Sequence, residues 1–204
     1  MAVDGLILRH ACLELQKSLP LKIQRIFHIS DNELVLIVRN NKEKHQLLLS
    51  THSVHNRIQF SKRELVAAQE PSSFVMLLRK HCEDAIITQI HQIRLDRILF
   101  LDIQKRDDLG DIHNYKLYVE LMGKYANVIL VDENNKIVDA LKRIPPYENN
   151  SRTIQSGALY EIPKDKDKLN PFDQTQINLS DNLTQTLDGI SPLLEKEIRF
   201  RMEN

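Results

Sequence analysis

Between residues 22 and 141 apolar side chains recur at alternate positions in short runs, and the runs are separated by residues that favour turns. That two-residue rhythm belongs to strands, so most of the chain must build a sheet. The runs cover 22–29, 33–38, 46–50, 85–93, 97–102, 115–121, 126–131 and 136–141. In the second, Leu34, Leu36 and Val38 alternate with Val35, Ile37 and Arg39, a pattern suited to a strand covered on both faces. Asp31-Asn32 and Asn40-Asn41 supply hairpin chemistry, and Gly123 and Glu133-Asn134-Asn135 mark further turns.

Two helices interrupt this pattern. Asp4 precedes Leu8, Cys12, Leu15 and Leu19, a stripe at helical spacing that Pro20 stops. A second helix is predicted from residue 71 or 72 to 81, with Ser72 or Ser73 as cap and Phe74, Leu77, Leu78 and His81 on one face. The fold class is therefore α+β, an antiparallel sheet-rich domain with flanking helices. Alternating Lys and Asp over 163–170, followed by Pro171, read as a solvated linker. Ser191-Pro192 then opens another helix through Leu193, Leu194, Ile198 and Phe200 that meets no stop signal, as if cut within a second domain. The expected division is 1–162, a linker over 163–180, and the beginning of a helical domain over 181–204.

Charge excludes more than it suggests. Lys and Arg balance Asp and Glu at 28 each, so the chain as a whole does not advertise nucleic-acid binding. Residues 1–160 carry a small basic surplus, 22 against 19. Cys12 and Cys82 lie far apart without a CxxC pattern, which argues against a disulfide scaffold or a thiolate zinc site. There is no Gly-rich phosphate loop, GxSxG or HExxH, so neither a catalytic centre nor a cofactor or metal is expected. No apolar run is long enough for a membrane span, and no signal-peptide pattern opens the chain, so a cytoplasmic location is expected.

The residues that could act are polar groups near predicted turns. Asp96 and Arg97 reach one ligand together only at a strand end or bulge. There the carboxylate can accept from base N–H groups and the guanidinium can fork, stack or grip phosphate; a plain surface pair is the alternative. Asp4 reads equally as a helix N-cap. Arg79, Lys80 and His81 sit where a helix dipole favours cations, and Arg79 and Lys80 could also meet phosphates. Glu120, Leu121 and Met122 end a strand before Gly123-Lys124-Tyr125 turns it back, with Leu121 and Met122 as core and Lys124 or Tyr125 free to touch RNA.

Taken as a set, Leu77-Leu78-Arg79-Lys80-His81, Leu95-Asp96-Arg97-Ile98, the run from Glu120 to Leu130 and the opening Met1-Ala2-Val3-Asp4-Gly5-Leu6 resemble the N-terminal domain of the NFACT family. The likeness runs from Asp4 to about Tyr160 and resumes at Gly189-Ile190-Ser191-Pro192-Leu193-Leu194. It implies a fold like the N-terminal domain of formamidopyrimidine-DNA glycosylases, followed by the start of a helix-two-turn-helix, or helix-hairpin-helix, region. Those enzymes use an N-terminal proline followed by glutamate; Ala2 and Val3 stand there here, so the resemblance implies no glycosylase chemistry.

The resemblance implies a ribosome-associated quality-control factor, not an enzyme. Such a factor binds large ribosomal subunits obstructed by peptidyl-tRNA and recruits tRNA, alanyl-tRNA in bacteria, for C-terminal tailing, the peptide-bond chemistry belonging to ribosomal RNA. Asp4, Asp96 and Arg97 would then bind tRNA on its anticodon-loop side. Arg79, Lys80, Glu120, Leu121, Met122, Lys124 and Arg152 would support that surface or touch RNA. Arg152 matches an arginine in the family's Asn-Ser-Tyr-Arg run, but the tyrosine is missing from Asn149-Asn150-Ser151-Arg152. Thr51-His52-Ser53 stands where relatives read Ala-His-Pro, without the proline. The alternative implied by the same family is an anchorless adhesin that binds fibronectin at the cell surface by a non-classical route.

Overall fold

Asp4 accepts the Ile7 N–H at 2.8 Å and so caps the first helix, α1 (Gly5–Gln16), which buries Leu8, Cys12 and Leu15. The helix stops before Leu19, the last residue of the predicted stripe. The amides of Lys17, Ser18 and Leu19 bond three residues back, tightening the final turns, and Pro20 has no N–H to continue them. The fold is that of a computed structural model, which describes residues 3–148, 152–163, 167–174 and 176–203. Ala2, residues 149–151 beside Arg152, and residues 164–166 and 175 of the expected linker lie outside the described residues.

Four strands follow α1: β1 (Leu21–Ser30), β2 (Glu33–Arg39), β3 (Lys44–Ser50) and β4 (Arg57–Ser61). Ser72 caps α2 (Ser73–Cys82), and then come β5 (Ile86–Gln92), β6 (Ile98–Arg106), β7 (Ile112–Glu120), β8 (Asn127–Asp132) and β9 (Ile137–Ala140). Among the described residues these nine strands form one antiparallel sheet in the order β4-β3-β2-β1-β5-β6-β7-β8-β9. β4 is the strand that alternation did not reveal.

Both helices lie on one face of the sheet. Leu8, Cys12, Leu15, Phe74, Val75 and Leu78 share a core with Ile23, Leu36, Leu49, Ile90, Leu101 and Val119, drawn from both halves of the sheet. Strands so far apart in the order can share a core only if the sheet curls on itself. The Lys142 ammonium, just after β9, donates to the Thr51 carbonyl after β3 at 3.1 Å, and Gly123 lies beside Ser53, which places the curl in space. The opposite face has its own cover: Val35 packs with Leu65 and Ala67, and Tyr118 and Ile129 pack with Ile154 and Tyr160. β2 is thus covered on both faces, as its sequence requires.

The C-terminal stretch is held against this body. Leu169 and Leu187 form an isolated bridge, and the Asp188 N–H donates to the Leu169 carbonyl at 2.8 Å. The short α3 (Leu183–Thr186) and α4 (Pro192–Glu203) close a small cluster in which Leu183, Leu187 and Ile190 pack with Leu6 of α1. Among the described residues no helix is long and apolar enough to cross a membrane.

Candidate nucleic-acid interface

Asp96 and Arg97 sit in the turn between β5 and β6. The Asp96 N–H donates to the Ile93 carbonyl at 3.0 Å, and its carboxylate turns back to accept the Arg97 N–H at 2.7 Å. Arg97 was expected to begin a strand; β6 begins one residue later, so strand geometry does not send the two side chains to opposite faces. The Arg97 carbonyl accepts the Leu121 N–H at 2.8 Å, which ties the turn to the end of β7. Its half-buried guanidinium has no hydrogen bond or ion pair among the described residues. The backbone at this point is fixed and the cation is left available.

The start of α1 is braced against this turn. The Gln92 side-chain amide donates to the carbonyls of both Gly5 and Asp96, each at 2.8 Å. Gly5 packs so tightly that a Cβ there would lie 1.7 Å from the Leu95 carbonyl oxygen. Asp4 is accordingly a neighbour of the Asp-Arg pair, but its carboxylate is committed inside the protein. One oxygen caps α1, the other accepts from the Ser191 hydroxyl at 3.2 Å, and the residue is 8% exposed. The expected contact between Asp4 and RNA has little exposed surface to use, and what the structure shows Asp4 doing is capping α1 and accepting from Ser191.

Beside the turn, Gly123–Tyr125 forms a single 3-10 turn that leads from β7 into β8. Lys124 and Tyr125 are exposed, with the ammonium 4.9 Å from the ring centroid. A cation and a flat ring side by side suit a phosphate and a base. Gly123 places this turn next to the loop after β3, where His52 Nδ1 accepts the N–H groups of Val54 and His55. His52 thus shapes locally the turn that lacks a proline. The structure brings Asp96, Arg97, Lys124 and Tyr125 to one end of the sheet.

Glu120, Leu121 and Arg152 lie beneath this end. Glu120 is 1% exposed and receives a two-pronged grip from Arg152, with a 2.9 Å hydrogen bond from the Tyr160 hydroxyl. Burial, and then the Glu120 carboxylate, push the Tyr160 hydroxyl far above its ordinary pKa. Burial works against the charge on Arg152, but Glu120 outweighs it and holds that pKa up. Leu121 is fully buried and Met122 packs against the outer core. Glu120 and Leu121 have almost no surface to offer, and the partly exposed Arg152 has its guanidinium engaged by Glu120.

Arg79 and Lys80 are not part of this patch. The Arg79 Nε–H donates to the Ile26 carbonyl at 2.8 Å and lies 3.8 Å from the Glu83 carboxylate, so the guanidinium is partly engaged within the protein. Lys80 is exposed, but its carbonyl accepts from Lys105, near the far end of β6 and on the order of 20 Å from Arg97. His81 Nδ1 lies 3.0 Å from the Tyr115 hydroxyl oxygen, and burial, then Lys80, Lys105 and His113, lower its pKa. The folded state then binds fewer protons than the unfolded state. Stability should fall as pH drops below the unfolded value of about 6.5 towards the lower folded pKa. Urea denaturation at pH 7 and 5 should show this loss, and a smaller one in His81→Gln.

Sequence reasoning overlooked Gln92, Tyr160 and Asp188. Gln92 reads as an ordinary strand residue, and nothing local betrays its two acceptors. Asp188-Gly189 before Ser191-Pro192 is a turn signal that could have been noticed. Among the described residues, no group of three or more His, Cys, Asp or Glu side chains is placed to hold a metal ion.

Known proteins share the sequence and the fold of this chain. The family model for NFACT N-terminal and middle domains matches residues 4–204, and the chain belongs to that family. The Rqc2 homolog RqcH of Streptococcus suis is 40% identical over 174 residues, 84% of this chain and 32% of the relative. RqcH of Bacillus subtilis is 34% identical over 98% of this chain and 38% of its own length. The chain thus spans about a third of the curated relatives it matches. The N-terminal domain of the fibronectin-binding protein PavA from Streptococcus pneumoniae has the same fold, with a TM-score of 0.90 and 33% identity over 98% of this chain and 83% of that one. The fibrinogen-binding protein from Staphylococcus aureus aligns with a TM-score of 0.84 and 34% identity, over 98% and 75%.

Proposed function

We propose that this chain is the tRNA-binding part of a ribosome quality-control factor that engages obstructed large ribosomal subunits and recruits tRNA for C-terminal tailing of stalled nascent chains. The observation that carries the reading is Arg97, whose backbone is fixed by Leu121 while its guanidinium has no partner among the described residues. A cation held this way is organised for an anionic or planar ligand before the ligand arrives. Asp96 beside it supplies an acceptor for base N–H groups, and Lys124 with Tyr125 extends the surface towards phosphate and base. The relatives called RqcH support the ribosomal setting. In this reading the chain positions RNA and supplies no nucleophile or general base. Alanyl-tRNA as the species recruited, and the helix-two-turn-helix character of the segment after residue 181, follow the family likeness.

The test is tRNA binding and tailing by Asp96→Ala with Arg97→Ala. The double variant should keep the urea midpoint of the wild type, because both side chains are half-exposed and make no tertiary ion pair, yet lose tRNA affinity at least tenfold, the order of a lost charged or bidentate contact. Normal tailing by a folded double variant rules out this mechanism. A second reading rests on the likeness to PavA: the chain binds fibronectin. Fibronectin capture by the purified chain, undiminished in the double variant and accompanied by absence of tRNA binding, would favour it.

A further inference from the structure

Three segments distant in sequence meet at one point behind the Asp96–Arg97 turn: the start of α1, the turn itself, and residues 188–191. Asp188 stands at the centre. One carboxylate oxygen accepts the Leu95 N–H at 3.2 Å and lies 3.6 Å from Arg94 Nε, and the other accepts the Gly189 N–H at 3.0 Å. Arg94 also reaches the Lys168 carbonyl at 2.8 Å. Gly189, at φ +77°, allows its backbone to lie against both Gly5 and Leu95, and a Cβ there would come within 3.0 Å of Leu95 Cβ. Two residues on, Ser191 caps α4 through the Leu194 N–H at 3.1 Å and donates to Asp4.

From this junction we infer that Asp188 is a positioning residue for Asp96 and Arg97, through which the C-terminal helical segment sets the tRNA-gripping turn; the inference rests on the function proposed above. Arg94 occupies a left-handed conformation, φ +51°, that an L residue adopts at a cost. The contacts of Asp188 with Arg94 and with the next amide hold that conformation, and Asp96 and Arg97 follow directly. Asp188 is mostly shielded, with side-chain exposure of 17%, and lies on the protein side of the turn, so it acts through the turn and not on the ligand. The same contacts make the turn sensitive to where α4 sits, because Asp188 and Ser191 flank the start of that helix. Asparagine at 188 keeps an acceptor for the Leu95 N–H and loses the charge that faces Arg94; alanine loses both.

The experiment is a double-mutant cycle read by anisotropy of fluorescein-labelled bulk tRNA on the whole chain, with hydrogen exchange of the peptide spanning residues 93–97. Asp188→Ala should weaken tRNA binding about tenfold in the wild-type background and less than about twofold in Arg97→Ala, because it acts through the arginine. Exchange at residues 93–97 should rise without tRNA, and Asp188→Asn should restore most of the affinity. Equal losses in both backgrounds, or unchanged exchange at 93–97, overturn the positioning role. If Arg97→Ala binds as well as the wild type, the tRNA reading itself has failed, and the positioning role falls with it, in a pattern distinct from the other two.

Discussion

Arg152→Ala should cost the fold about 3–5 kcal/mol, because it strands the Glu120 carboxylate inside the protein. Glu120 is 1% exposed, and after the substitution the Tyr160 hydroxyl remains its sole side-chain donor among the described residues. One neutral hydrogen bond cannot replace the hydration of a carboxylate. For a chain of 204 residues the loss corresponds to a Tm lower by on the order of 10 °C, measurable by calorimetry or urea denaturation. Removing the whole polar group should be milder. Glu120→Met combined with Arg152→Met and Tyr160→Phe leaves no buried charge and no orphaned hydroxyl, so it should recover much of the stability. A wild-type midpoint for Arg152→Ala would mean that the carboxylate reaches water, and the support assigned to this trio would be withdrawn. The trio matters for function because Leu121, next to Glu120, holds the Arg97 carbonyl.

The sheet was legible because its strands are buried by alternation: Leu34, Leu36 and Val38 face one core, and Val35 with Ile37 faces another. β4 was not, since its five residues carry two apolar side chains and follow a histidine-containing loop without a proline to mark its end. At the candidate site, the Asp-Arg pair could be singled out only by its likeness to the family's motif, since its residue types alone left a plain surface pair open. The roles of Asp4 and Arg152 could not be read. An Asp before a helix looks the same whether its second oxygen meets water or Ser191, 187 positions away. Nor does an arginine after a loop show that a glutamate 32 positions earlier will take its charge. Local chemistry is written in order along the chain, whereas neutralisation depends on which distant segment the curl of the sheet brings near.

Gly5→Ala tests that meeting of segments most directly. A Cβ on residue 5 would lie 1.7 Å from the Leu95 oxygen, 2.9 Å from the Leu95 carbonyl carbon and 2.7 Å from the Gly189 Cα. All three are backbone atoms, so no side chain can rotate out of the way and the chain itself must move. Alanine suits a helix better than glycine by about 1 kcal/mol, which partly offsets the damage. Overpacking of this kind typically costs about 1–3 kcal/mol, with larger values where rigid atoms collide. The net outcome should be a destabilised protein whose β5–β6 turn is pushed off the start of α1, breaking the double brace from Gln92. Affinity for tRNA should then fall at least as far as in Arg97→Ala, although no RNA-facing side chain has changed. Gly157→Ala provides the control: unlike Gly5 it sits at positive φ, +84°, but nothing lies within 4 Å of the added methyl. That variant should lose about 1–2 kcal/mol from backbone strain and bind tRNA normally. If Gly5→Ala matches the wild type in urea midpoint and tRNA affinity, α1 and the Asp96–Arg97 turn are not packed together in solution, and the brace that organises the arginine does not exist.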